Sequence, residues 1–128
     1  LDPNAVKGFT HKQVKMLEPD AMNGLRKKQI TMFNQKAVRG FTSEQIETLP
    51  KNLFKAFKKS QLSNLSRDAL TGLTKGQLRT LSSSEFSSIK TKNLKFICKK
   101  KNKIKYKNFI FGKIDSSKRI GFVYSNLW

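Results

Sequence analysis

Three observations on this chain predict a mostly α-helical fold, a solenoid of short repeated helices. One sixteen-residue unit recurs six times from residue 2 to residue 97, its copies opening at Asp2, Glu18, Asn34, Pro50, Ser66 and Ser82. Apolar residues return in fixed columns. Leu17, Phe33, Leu49, Leu65, Leu81 and Ile97 close the copies, and Val6, Met22, Val38, Phe54, Leu70 and Phe86 make a second column. Phe9, Leu25, Phe41, Phe57, Leu73 and Ile89 make a third, and Val14, Ile30, Ile46, Leu62, Leu78 and Leu94 a fourth. The spacing within a unit alternates five and three (Leu1, Val6, Phe9, Val14, Leu17), so each unit is two related octads. A pair three apart suits one face of a short helix, whereas neither period 2 nor a long 3.6 pattern fits. Each unit buries its apolar face only against its neighbours.

Each first octad opens on a good cap in four copies, namely Asp2, Asn34, Ser66 and Ser82. Pro3 follows Asp2 and Pro19 follows Glu18, at the first-turn position proline tolerates. Second octads open on Thr10, Thr42 and Thr74, each with Gln three residues on, which is the capping-box pattern. The amides form a column of Gln13, Gln29, Gln45, Gln61 and Gln77, with Asn93 in the sixth copy. Arg26 and Lys58 replace the hydroxyl ahead of Gln29 and Gln61. The column is read as structural, and capping alone predicts that Gln45→Glu is tolerated, since a carboxylate also completes the box. Gly8, Gly24, Gly40 and Gly72 fall where a helix end favours a left-handed residue. Each unit is therefore expected to be two helices of about two turns. Isolated helices below ~12–15 residues are marginal in water, so their order must come from stacking.

The last 31 residues, 98–128, break the pattern. Lys99, Lys100, Lys101, Lys103, Lys105 and Lys107 crowd a short stretch. Segments 109–114 and 119–124 then read as a β-hairpin around Asp115-Ser116-Ser117-Lys118. With Trp128 that hairpin is the expected cap on the last apolar face. The organisation expected is a six-repeat helical solenoid over 1–97 and a lysine-rich segment plus β-hairpin cap over 98–128.

Charge carries the functional signal. The net charge is +19 in 128 residues, with a pI near 10.4, which implies an acidic partner. The repeats hold 18 Lys and Arg against 7 Asp and Glu, and the tail 9 against 1. In the repeats, Lys7, Lys15, Arg39, Lys55, Arg79 and Lys95 share one octad position, which Glu47 also holds, and could line one edge of the stack. Together with the six tail lysines they are the candidate polyanion contacts. Lys27, Lys51, Lys59, Arg67 and Lys75 form the next most basic column.

Other chemistries find little footing. Cys98 and His11 are single, so neither a disulfide, a metal set nor a Ser/His/Asp triad is expected. The glycines are spread as corners rather than clustered in a phosphate loop. No aspartate-rich calcium loop is present. Apolar stretches fall far short of the ~20 residues of a membrane span. No enzyme activity and no cofactor are expected. Leu1 opens the chain in the Leu17 column, as a processed product or an excerpt of a longer array would.

The runs Gly8-Phe9-Thr10-His11-Lys12-Gln13-Val14-Lys15-Met16-Leu17 and Gly40-Phe41-Thr42-Ser43-Glu44-Gln45-Ile46-Glu47-Thr48-Leu49 carry a resemblance. So does Leu65-Ser66-Arg67-Asp68-Ala69-Leu70-Thr71-Gly72-Leu73. They resemble the short helical L-T-x-x-Q-I-x-x-L repeats of large secreted and cell-surface bacterial proteins, including those of marine cyanobacteria. The resemblance implies a structural, surface or adhesive role and an extracellular location. The leading expectation is a non-enzymatic scaffold within a larger assembly or surface structure, with other protein subunits or an anionic polymer or surface as partner. The alternative is an intracellular protein that binds nucleic-acid backbones without reading sequence, such as a peripheral ribonucleoprotein component.

Overall fold

An octad has room for one helix and one corner, and that limits every described helix. The computed structural model describes residues 3–89 and Asn93. The described part is mostly helical, with no strand among the described residues. It runs α1 Pro3–Val6, α2 His11–Lys15, a 3-10 helix Pro19–Gly24, α3 Lys27–Met32, α4 Gln35–Val38 and α5 Ser43–Thr48. It continues as α6 Lys51–Phe54, α7 Lys59–Leu62, α8 Arg67–Leu70, α9 Lys75–Thr80 and α10 Ser83–Ser87. Helices of four to six residues replace the expected two turns, because the cap and corner consume the rest of each octad. The first octad of the second copy tightens to a 3-10 helix. Its cap, Glu18, makes no side-chain cap bond, and Pro19 follows it. The predicted β-hairpin and cap lie outside the described residues.

Caps hold these one-turn helices open for stacking. Thr10, Thr42 and Thr74 accept from the backbone N–H of Gln13, Gln45 and Gln77, and each Gln Oε1 accepts from its Thr N–H in return. Ser82 and Glu85 make the same reciprocal pair in a first octad. Asn34 and Ser66 accept from Ala37 and Ala69. At Arg26 and Lys58 only half the box exists, because neither side chain has an acceptor, yet Gln29 and Gln61 still close the cap N–H at 2.8 Å.

Packing follows a different interval from the sequence repeat. α1 packs on α3, α2 on α4, α4 on α7 and α6 on α9, while α5 lies between the 3-10 helix and α8. Each contact joins octads three apart, that is, segments displaced by about twenty-four residues. Hydrogen bonds reach a fourth octad. Gln45 Nε2 donates to the carbonyls of Val14 and Leu17 at 2.8 and 2.7 Å. Gln61 Nε2 donates to Ile30 and Phe33 at 2.8 and 2.9 Å, and Gln77 Nε2 to Ile46 and Leu49 at 2.6 and 2.8 Å. Each amide therefore caps its own helix start with oxygen and ties, with nitrogen, two carbonyls at the end of a helix about thirty residues earlier, the first of which also accepts from the backbone. Gln13, in the first turn, is exposed, while Gln45, Gln61 and Gln77 are buried.

The core is one apolar cluster running the length of the described stack, from Val6 to Ile89. Phe rings connect octads one to three apart through it: Phe9 to Phe33 at 6.1 Å, Phe33 to Phe41 at 5.3 Å, Phe41 to Phe57 at 5.7 Å. Tilted and edge-on pairs at such distances add about 0.5–1.5 kcal/mol each beyond buried area. Phe9, Leu17 and Leu25 are only half-buried, since the first turn is packed from one side.

The glycines have a reason other than the one expected. None of the described glycines takes a left-handed conformation. A Cβ on Gly40 would sit 2.0 Å from the His11 carbonyl oxygen, and one on Gly72 would sit 2.1 Å from that of Ser43. Neighbouring turns touch backbone to backbone there, and only hydrogen fits. At Gly24 nothing lies within reach, and Ala56 and Ser88 occupy the same column elsewhere.

Candidate functional site

The charged side chains occupy octad positions outside the core, so the stacking interval decides which of them become neighbours. Lys7, Lys15, Arg39, Lys55 and Arg79 are all exposed, whereas Lys95 and the six tail lysines lie outside the described residues. The five are divided between different packed helices. Lys15 and Arg39 belong to the packed pair α2 and α4, and Lys55 and Arg79 to the pair α6 and α9. A shared position in a sixteen-residue repeat does not put residues on one side when turns stack at twenty-four. Arg39 Nε also donates to Asn64 Oδ1 at 3.3 Å.

Sorted by that interval, the octads form three rows, and charge separates between them. Octads containing the 3-10 helix, α5 and α8 carry Glu18, Asp20, Glu44, Glu47 and Asp68, five of the six described acids, against a single base, Arg67. The row of α1, α3, α6 and α9 carries Lys7, Arg26, Lys27, Lys28, Lys51, Lys55, Lys75 and Arg79, with no acid among the described residues. The row of α2, α4, α7 and α10 carries Lys12, Lys15, Lys36, Arg39, Lys58 and Lys59 against Glu85. Among the described residues two rows are basic and one is acidic.

Contacts on the acidic row are direct. Asp68 Oδ2 accepts from the Ser43 N–H at 3.3 Å across the α5–α8 contact. Glu18, Glu44 and Asp68 share a shallow groove with Met16, the one large apolar side chain exposed among the described residues. Asp20, Glu44 and Asp68 lie twenty-four apart, as do Lys27, Lys51 and Lys75, each the first residue of its helix. Those two ladders are the signal that reading in sixteens passes over, and a search of the charges alone at other periods would have found them.

Gln45, Gln61 and Gln77 are mechanical parts, with both ends of each amide engaged by backbone and none left to read bases or ligands. No described helix is long and apolar enough to cross a membrane. Comparison with family models, curated proteins and solved structures finds no match to this chain.

Proposed function

We propose that this chain is a non-enzymatic solenoid module, a structural and binding scaffold that works inside a larger assembly or bacterial surface structure and engages an anionic partner. The observation that carries this reading is the separation of charge. The described residues place their excess positive charge on two of three rows, although self-repulsion on that scale opposes compact folding. The tail supplies the second half of the reading: nine Lys and Arg against one acid, with Lys99, Lys100, Lys101, Lys103, Lys105 and Lys107 as its proposed contacts. A stack presenting cations at fixed intervals suits a scaffold better than a catalyst, and the buried amides of Gln45, Gln61 and Gln77 are spent on backbone hydrogen bonds. The test is retention of the full chain on matrices bearing sulfated dextran, duplex DNA or acidic phospholipid, against neutral dextran at physiological salt. Salt-reversible retention on at least one anionic matrix is expected; equal behaviour on all four overturns the reading.

A further inference from the structure

We infer that the row of α1, α3, α6 and α9 is a docking face for the phosphate backbone of double-stranded nucleic acid, with Lys27, Lys51 and Lys75 as its central contacts. This rests on the anionic partner proposed above and names its class. The three lysines hold the same place in their helices, one per stacking interval. Lys51 extends over α9, since a Cβ on Gly76 would lie 3.8 Å from its Cδ. Packed helices sit about 8–10 Å apart, and a duplex strand offers a phosphate about every 3.4 Å along its axis. The lysine side chains are long and flexible and meet backbone rather than base edges, so binding along the row needs no sequence. The acidic row repels the same polyanion, so the duplex meets one side of the stack rather than wrapping it.

Two observations favour a duplex over a single strand or a membrane. Single-strand binders stack bases on exposed aromatic rings, and every described Phe is buried except Phe9, which is half-buried. Membrane-surface helices insert a broad apolar face, and the exposed Met16 belongs to α2's octad, on another row.

The experiment is a salt titration of full-chain binding to a mixed-sequence 30-base-pair duplex, the corresponding single strand and heparin. The variants are the triple K27Q/K51Q/K75Q and the charge-matched triple K12Q/K36Q/K59Q from the neighbouring row. Three lost phosphate contacts should lower the magnitude of the log–log salt slope for the duplex by about 2 to 3. The neighbouring-row variant should change it by less than about 1. A K27R/K51R/K75R variant, which keeps the charge, should hold the wild-type slope, and circular dichroism fixes that all three are folded. Equal slopes for the two Gln variants, or a wild-type slope for the first, would overturn the assignment of the face. Heparin bound with the stronger dependence on Lys27, Lys51 and Lys75 would overturn the duplex while leaving an anionic partner standing. Failure to bind any of the three polyanions would remove the anionic partner itself.

Discussion

Replacing Gln45 by Glu exchanges one nitrogen for an oxygen, and the two ends of this side chain feel the change oppositely. The Oε1 end accepts from the Thr42 N–H at 3.0 Å and is kept. The Nε2 end donates to two carbonyls, Val14 O and Leu17 O, and an ionised carboxylate there faces two acceptors with nothing to donate. Val14 O still accepts from the Leu17 N–H, whereas Leu17 O loses its amide donor, at a cost of about 1–3 kcal/mol. The side chain is 1% exposed, so an unpaired charge adds about 3–5 kcal/mol. A total of about 4 kcal/mol or more equals much of the stability of a small domain, so Gln45→Glu should be largely unfolded at pH 7. The capping box alone implies tolerance, and the bonds to Val14 and Leu17 reverse that expectation. The sign with pH is fixed by the same geometry. Burial beside carbonyls raises the folded-state pKa of the introduced carboxyl above the ordinary value of about 4.3. The folded state then holds more protons between these two values, so stability falls as pH rises through that window. Urea unfolding followed at 222 nm, at pH 4 and pH 7, reads both effects. Wild-type stability at pH 7, or loss greater at pH 4 than at pH 7, would refute the donor role of Nε2.

Other substitutions divide the stack's supports. Gly40→Ala should cost about 3 kcal/mol or more, because the methyl meets the His11 carbonyl at 2.0 Å, while Gly24→Ala should be neutral or slightly stabilising. Comparing the two thermal midpoints checks that close approach, not backbone conformation, selects glycine. Phe41→Ala removes a ring that is 1% exposed and edge-packed on Phe33 and Phe57, and should cost about 3–5 kcal/mol in chemical denaturation. Leu49→Asp places a carboxylate in the cluster that joins α5 to its neighbours. Circular dichroism should show loss of helicity well beyond one copy, and loss matching a single copy would contradict stacking as the source of order.

Helix existence and core membership were legible in this sequence because both depend on the octad. Val6, Val14, Met22 and Ile30 recur at eight, and all are buried. Helix starts were legible wherever Thr, Asn or Ser announced them. What the octad conceals is which turn lies against which, since that depends on corner geometry and not on any local pattern. Lys7, Lys15, Arg39, Lys55 and Arg79 share an octad position yet divide between different packed helices, and the long reach of Gln45, Gln61 and Gln77 was invisible for the same reason. Glu47 was the clue: the one acid in a basic column sits in the octad of α5, on the acidic row.

The central claim is that α2, α3 and α5 are each held by a segment about thirty residues further on, through the amides of Gln45, Gln61 and Gln77. Residue-resolved amide hydrogen exchange on the wild type and on Gln77→Ala tests it most directly. Gln77 Nε2 bonds the carbonyls of Ile46 and Leu49, so the variant should exchange faster at the amides of α5, including Ile46 and Leu49, as well as in α9. Faster exchange confined to residues 74–81, with α5 protected as in the wild type, would contradict it.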